Sequence, residues 1–170
     1  SEVGNPLYNA TLNTYNNSNY TQIVNNLSVE YNILEGLRLR GQFGISKTFN
    51  KSDAFYPAEH TMFDSYDVSD AMKKGSYTYG TGESFSLNGN LTLSYSRTFA
   101  HKHTVYFGGD FYISENNGYS YSFNAIGFPN SNLDFIGSSL GYKEGSRPSS
   151  SESRNRALGY TANVNYSYDN

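Results

Sequence analysis

The residues of this sequence that could bind a metal ion include three histidines. His101 and His103 are two residues apart, and on a strand this spacing places both imidazoles on one side, as a metal pair requires. A third and fourth ligand are not evident beside them, and His60 falls in a separate segment that we predict to be a loop. We therefore interpret the histidines as solvated turn and loop residues, and we predict no metal site.

Three aspartates recur at three-residue spacing, at Asp64, Asp67 and Asp70, which could indicate a calcium site. They lack the glycine and the closing glutamate of an EF-hand loop. A solvated face or a set of helix caps is the better interpretation. Residues Ser69 to Lys74, followed by Gly75, predict one short helical turn with an N-cap and a glycine after its C-terminus.

Motifs that carry catalysis are not found in the sequence. It has no cysteine and therefore no thiolate nucleophile. The nucleophile elbow, the phosphate-binding loop, the dinucleotide fingerprint and the zinc-peptidase motif are also missing. We predict no catalytic residue and no cofactor, so the protein is not expected to be an enzyme.

Aromatic residues surrounded by serine, glycine and asparagine are the strongest candidates for ligand binding. Such rings can stack on the faces of sugars, while neighbouring amides and hydroxyls bond to the sugar hydroxyls. The candidate substrate-binding residues are Tyr77, Tyr79, Tyr119, Tyr121 and Phe123. The alternative is that these rings extend the strands and pack against neighbouring loops.

The composition is polar but poor in charge. Only 36% of the residues are hydrophobic and 16% are charged, yet the chain has 17 Tyr and 11 Phe, which argues against disorder. The net charge of −3 gives no basic stripe, so we expect no nucleic-acid partner. A Tyr-rich, weakly charged chain suits a membrane β-barrel, in which a polar lumen and an apolar outer band alternate along each strand.

Alternation of apolar and polar residues with a period of two appears in five stretches. The apolar sets fall within Leu27–Ile33, Leu37–Ile45, Phe85–Tyr95, Val105–Ile113 and Leu158–Tyr166. No comparable stretch has helical periodicity. The sequence therefore predicts an all-β fold.

The link between the first two strands predicts their register. Leu34-Glu35-Gly36 is typical of a three-residue hairpin loop with glycine in a left-handed conformation. This loop pairs apolar with apolar residues and an acid with a base: Ile33 with Leu37, Tyr31 with Leu39 and Glu30 with Arg40.

The connections alternate between short and long. A second short link lies near residues 100–102, and long loops are predicted at about 47–83 and 115–156. In an antiparallel up-and-down meander this order places the tight turns at one end of the sheet and the long loops at the other. Outer-membrane barrels have short periplasmic turns and long extracellular loops.

Several motifs resemble those of SusC/RagA-type outer-membrane transporters. Asn5-Pro6-Leu7-Tyr8 resembles the family's strand-end motif, and residues 33–44 resemble its hairpin. The remaining motifs, in the family's order, are Phe55-Tyr56-Pro57, Ala125-Ile126-Gly127-Phe128, and Gly159-Tyr160 through Asn163 and Tyr166-Ser167-Tyr168-Asp169-Asn170. The resemblance covers nearly the whole chain.

The resemblance implies a TonB-dependent importer of oligosaccharides or peptides in the bacterial outer membrane. It implies a barrel of about 22 strands, an N-terminal plug and a SusD-like surface lipoprotein as partner. Residues 1–170 are expected to form a partial barrel segment of about five to six strands that contacts outer-membrane lipid. The plug and the TonB-box region have no counterpart in this sequence.

The two ends of the sequence also favour an excerpt of a longer chain. Ser1-Glu2-Val3 is not a natural start, and Asp169-Asn170 fall in a turn whose returning strand is missing from the sequence. On its own, such a segment exposes an apolar face and two unpaired sheet edges, so we expect it to self-associate.

The alternative interpretation is a soluble or surface-exposed β-sheet domain. It would bind carbohydrate or a protein partner through its two long loops. The feature against it is the absence of charged residues from the apolar face of the five alternating stretches.

Overall fold

The structure, a computed structural model, describes residues 5–168. Two sequence interpretations, on Ser1-Glu2-Val3 and on Asp169-Asn170, lie outside the described residues. The described chain is dominated by long antiparallel strands with a few short helical turns. The predicted all-β, up-and-down meander is confirmed.

The elements follow one another in a simple order. A short helix α1 (Pro6–Asn9) precedes the strands. The strands are β1 (Tyr15–Leu34), β2 (Leu37–Tyr56), β3 (Ser76–Phe99), β4 (His103–Ile126), β5 (Gly141–Tyr142) and β6 (Ser149–Tyr168). Three 3-10 turns occupy Thr61–Phe63, Val68–Lys73 and Ile136–Ser138.

The six strands form one sheet in the order β1-β2-β3-β4-β5, and β6 also pairs with β4. The short β5 occupies only the end of β4, where Ala125 faces Tyr142 and Ile126 faces Gly141. The five long strands have 20 or 24 residues. A strand needs only about 9–11 residues to cross the hydrocarbon of a membrane, so each is long enough to cross and to continue beyond it.

The long connections are shorter than the sequence predicted. Instead of loops at about 47–83 and 115–156, the segments between the long strands are residues 57–75 and 127–148. The start of β6, residues 149–156, has polar residues on both faces, so periodicity could not detect it. The end of β4 is different: Tyr119, Tyr121 and Phe123 alternate with polar residues there, and the prediction assigned this alternation to a loop.

The first hairpin has the predicted register. Gly44 lies beside the Asn26 side chain and Gly41 beside the Val29 carbonyl, as pairing Ile33 with Leu37 requires. Strand assignment leaves Glu35 and Gly36 between β1 and β2, and Gly36 has the expected positive φ of 81°.

The prediction that Glu30 pairs with Arg40 is wrong, because a different arginine lies next to Glu30. Glu30 pairs with Arg38, with Nε and Oε1 3.5 Å apart. In the same register Arg38 is the diagonal neighbour of Glu30 on the polar face. A long arginine side chain spans that diagonal.

Two local predictions are corrected in detail. Asn5-Pro6-Leu7-Tyr8 is not a strand end: the Asn5 side chain accepts hydrogen bonds from the Leu7 and Tyr8 amides and caps α1, with proline in its first turn. The helical turn predicted for residues 69–74 is a 3-10 turn at Val68–Lys73, with Asp67 rather than Ser69 at its N-cap position.

Among the described residues, no helix is long and apolar enough to cross a membrane. The described chain divides into two compact units. Unit 1 contains residues 5–21, 49–83 and 119–152, and unit 2 contains residues 22–48, 84–118 and 153–168.

Unit 1 has a small aromatic core. Phe55, Ala125 and Phe128 are buried, and the rings of Tyr15 and Tyr77 pack against them. The Phe55 and Phe128 rings meet edge to face with centroids 5.2 Å apart, a favourable arrangement for aromatic pairs.

Hydrogen bonds connect α1 and β1 to the loops of unit 1. Asn9 and Thr61 exchange two hydrogen bonds, of 2.7 and 3.1 Å. Asn13 donates to the Ser131 carbonyl at 2.9 Å, and the Tyr15 hydroxyl donates to the Asp134 carbonyl at 3.1 Å. Both long connections are therefore anchored to the N-terminal segment.

Lys73 links residues of both connections through ion pairs. Its Nζ lies 2.9 Å from Asp70 and 3.1 Å from Glu144. Hydrogen bonds to Asp70 and then to Glu144 raise the pKa of the Lys73 ammonium. The stabilisation is therefore complete below the ordinary pKa of lysine and is lost as the pH rises through the raised value.

Unit 2 has one apolar and one polar face. Large hydrophobic side chains on the apolar face are exposed, among them Leu27, Val29, Phe43, Leu91, Phe111, Ile113, Leu158 and Val164. On the polar face, the Asp110 carboxylate accepts hydrogen bonds from Thr92 at 2.7 Å and Thr161 at 3.4 Å.

Two tyrosines of unit 2 lie against glycines on the polar face. The Tyr112 ring occupies the space that a side chain at Gly159 of β6 would need. At Gly108 the corresponding space is taken first by the Asn163 side-chain oxygen and then by the Tyr106 side chain, two residues along the same strand as Gly108. A residue larger than glycine at either position would have to displace these side chains.

The first turn provides a test of this architecture. Gly36→Ala forces alanine into a positive φ and places its Cβ against the Ser96 backbone carbonyl. Gly145→Ala is the matched control, because Gly145 also has a positive φ but nothing within 4 Å. The strain alone costs about 1–2 kcal/mol, and the overlap should raise the loss for Gly36→Ala above about 3 kcal/mol. Chemical denaturation followed by tyrosine fluorescence measures both, and equal losses would contradict the proposed packing.

Candidate functional site

Four of the five predicted aromatic residues lie together on β3 and β4 of unit 1. Tyr79 stacks on Phe123, and Tyr119 contacts Tyr121. Alternate residues of a strand share a face, so the β4 members Tyr119, Tyr121 and Phe123 point the same way. We call these four residues the aromatic strip.

Tyr79 and Phe123 form the stacked end of the strip. Their ring centroids are 5.2 Å apart with an interplanar angle of 25°. The Nζ of Lys51 on β2 lies 5.8 Å from the Tyr79 ring centroid, within the range of a cation–π contact. The Tyr79 ring therefore contacts both an aromatic ring and an ammonium group.

Tyr119 and Tyr121 form the open end of the strip. Their rings meet edge to face at 5.7 Å, and they are 42% and 51% exposed. The Tyr119 side chain is hydrogen-bonded to Glu83. This end therefore combines accessible ring surface with a carboxylate.

Lys51 and Glu83 were not identified from the sequence. Both belong to strands, β2 and β3, in a region that the sequence analysis assigned to a long loop ending near residue 83. Extending the alternation of Tyr77 and Tyr79 forward along β3 would have placed Glu83 on the same face as Tyr79. No comparable signal marks Lys51.

Tyr77, the fifth predicted residue, lies apart from the strip. Its ring is 6.4 Å from that of Phe55 and 6.3 Å from that of Phe128, inside the core of unit 1. Its side chain stabilises the fold. Substrate contact by any of the five residues stays a prediction.

The histidines have local partners. His103 Nδ1 lies 2.7 Å from the Tyr166 hydroxyl, and its ring packs against Tyr168. His60 Nδ1 accepts the Met62 amide. His101 lies in the β3–β4 turn with a φ of 60°. Within residues 5–168, no three metal-ligating side chains converge on a common point.

The strip is suited to binding rather than to bond cleavage. Exposed rings offer flat apolar surfaces, while the carboxylate and the ammonium can pair with polar groups of a ligand. Sugars and peptides both present such mixed surfaces.

No family model matches the sequence, and no curated protein matches it. Solved structures do resemble its fold. Three structures of the RagAB peptide importer or transporter, including a closed-closed and an open-open state, match with TM-scores of 0.76 to 0.78 and 18% to 19% identity.

These matches cover 92% to 96% of this chain but only 16% to 17% of the importer chains. The chain thus spans about a sixth of their length. At this identity the likeness establishes the fold alone.

The stacked pair of the strip can be tested by a double-mutant cycle. Tyr79→Leu and Phe123→Leu should show a coupling energy of about 0.5–1.5 kcal/mol in unfolding experiments, because each ring loses its partner. Tyr79→Leu combined with Val68→Ala is the control, since Val68 is 95% exposed. A coupling near zero for both pairs would contradict the stacked geometry.

Proposed function

We propose that this chain forms part of the wall of an outer-membrane importer of peptides or oligosaccharides. The observation that carries the proposal is the fold similarity to RagAB importer chains over 92% to 96% of this chain. The chain contributes wall and extracellular structure, and catalysis is no part of its role. Its location is the bacterial outer membrane.

The apolar face of unit 2 supports contact with lipid. Leu158 and Val164 are 63% and 70% exposed, and Leu27 is 59% exposed. Leaving such a face in water forfeits about 25 cal/mol for each Å² of apolar surface. Lipid tails provide the apolar surroundings that the folded chain does not.

The polar face supports contact with a water-filled lumen. Asp110 and its two threonine partners form a hydrogen-bonded group there. A charged carboxylate facing hydrocarbon would be costly, but it is readily accommodated beside water. The two faces therefore fit the two sides of a barrel wall.

We further propose that the whole importer has a SusD-like surface lipoprotein and is driven by TonB through parts outside this sequence. The substrate is an oligosaccharide or a peptide, and the latter is what the RagAB structures are named for. Within this chain, Tyr119 and Tyr121 are the most exposed residues of the aromatic strip and its candidates for substrate contact. By the alternation that places Ile113 on the apolar face of β4, both rings lie on the outer side of the wall, so a substrate would reach them outside the lumen.

The alternative is a soluble or surface β-domain that binds carbohydrate or a protein. The loop-anchored aromatic core of unit 1 favours it. The bare apolar face of unit 2 argues against it, because soluble monomers rarely expose so large a patch.

Fractionation of source cells tests the proposal directly. An antibody raised against this chain should detect a protein several times its 19.0 kDa mass in the outer-membrane fraction. A band near 19 kDa in the soluble fraction would overturn the importer and favour the soluble binding domain.

Association of the chain in water gives a second test. We expect the chain without detergent to form oligomers at high concentration, because the apolar face and the edges of β1 and β6 remain uncovered. Sedimentation velocity with and without detergent measures this. A monodisperse monomer in plain buffer would contradict the lipid-facing interpretation.

Substrate class is tested by uptake. In cells carrying Tyr119→Ala/Tyr121→Ala, uptake of the true substrate should fall roughly tenfold, because two stacking surfaces are lost. Labelled peptides and labelled oligosaccharides are compared, with Tyr142→Ala as the control because Tyr142 is similarly exposed at 56%. Unchanged uptake of both classes would exclude the strip from substrate binding while the importer proposal remains.

A further inference from the structure

A charged group borders the apolar face of unit 2. The hydrogen bond from Thr161 to Asp110 and the contact of the Tyr112 ring with Gly159 agree on one register of β4 against β6. Alternate residues share a face, so this register places two facing pairs side by side on the apolar face: Ile113 with Leu158, then Glu115 with Arg156. The surface changes from apolar to charged within a single step along the strands.

Glu115 holds two arginines at this border. Its carboxylate accepts from Arg154 Nη2 at 2.9 Å, from Arg156 Nε at 3.0 Å and from Asn117 Nδ2 at 2.8 Å. Two cations and one anion leave a net charge of +1. We call these three charged residues the arginine border.

The arginine border has exposed N–H donors left to bind a second anion. The side chains of Arg154 and Arg156 are 55% and 61% exposed, whereas that of Glu115 is only 23% exposed. Each guanidinium carries five N–H donors, more than the two it directs at Glu115. The planar fork of arginine matches a phosphate group, which can accept two parallel hydrogen bonds.

A groove on the same face begins next to the border. Gly41 and Gly89 have no side chains and form its floor, and its volume is about 340 Å³. Apolar side chains form its walls: Leu27, Val29, Phe43, Leu91, Phe111 and Ile113. Ile113 lines this groove, and Glu115 is the next residue on the same face of β4, so the groove ends two residues from the border.

We propose that unit 2 binds a phosphate-bearing lipid, with an acyl chain in the groove over Gly41 and Gly89 and its phosphate at Arg154 and Arg156. The apolar groove and the cationic border match the two ends of such an amphiphile. The proposal rests on the proposed function for the presence of lipid at this face, and adds the headgroup chemistry and the residues that recognise it.

Vesicle flotation of the full chain tests the headgroup. Binding is compared between vesicles of phosphatidylcholine and vesicles of phosphatidylcholine mixed with phosphatidic acid. The chain should prefer the mixed vesicles, and Arg154→Gln/Arg156→Gln should weaken binding to them roughly 30-fold, through the loss of two cations near an anionic surface. Both side chains are exposed, so the variant should fold.

Arg38→Gln/Arg40→Gln is the matched control. It also removes two arginines two residues apart, and Arg38 likewise pairs with a glutamate, Glu30. This control should bind the mixed vesicles at least tenfold more tightly than the border variant. Equal weakening by both variants would reduce the effect to general charge and overturn the proposal.

Glu115→Gln separates recognition from structural pairing. The substitution preserves the shape of the side chain but raises the net charge of the arginine border from +1 to +2. Binding of the chain to vesicles that contain phosphatidic acid should therefore strengthen. A structural role alone predicts weaker or unchanged binding, and that result would overturn the proposal. Displacement of the vesicles by millimolar inorganic phosphate would identify a free-phosphate site and would also overturn the lipid assignment.

The two proposals fail separately. A chain found in the outer membrane that has no preference for phosphatidic acid would contradict the lipid site alone. A chain found in the soluble fraction that retains the arginine-dependent preference would contradict the importer and leave the lipid site standing.

Discussion

Backbone pairing between antiparallel strands of 20 to 24 residues is the constraint on which the rest of this structure depends. Once the register of a pair is set, every second side chain is committed to the same face. A slip of one residue in β4 would move Asp110 from the polar to the apolar face and Ile113 in the opposite direction. The hydrogen bonds from Thr92 and Thr161 to Asp110 therefore indicate the face of every residue on these strands. The close approach of Gly44 to Asn26 does the same for β1 and β2.

The two units differ in whether they bury their hydrophobic side chains. Unit 1 buries Phe55 and Phe128 against the rings of Tyr15 and Tyr77, and hydrogen bonds from Asn13 and Tyr15 anchor the connection that contains Phe128. Unit 2 has no comparable buried cluster among its described residues. Its hydrophobic side chains form an open face, and Gly108 is the one buried position among its described residues. A sheet with such a face needs apolar surroundings outside the chain, and this is the physical basis of our proposal that it lies in a membrane.

The sequence predicted the fold well wherever one face was apolar and the other polar. The first hairpin register followed from matching Ile33 with Leu37, because a slip would have mixed apolar and charged partners. The loop bounds failed at the start of β6, where both faces are polar and periodicity has no contrast to detect. They also failed at the end of β4, where Tyr119, Tyr121 and Phe123 alternate with polar residues but were assigned to a loop. Arg38 replaced Arg40 as the partner of Glu30 because both arginines share a face and side-chain reach decides between them. For the candidate site, the rings were recognisable from their polar surroundings, but Lys51 came from another strand, and Tyr77 could not be separated from its neighbours without knowing the core.

The tyrosines that lie against glycines give the polar face an unusual surface. The Tyr112 ring lies over Gly159, and the Asn163 and Tyr106 side chains fill the space over Gly108. A side chain that packs against the backbone loses less entropy when another molecule touches it than a side chain that rotates freely. A molecule that contacts these rings would therefore lose less of its binding free energy to the ordering of the protein.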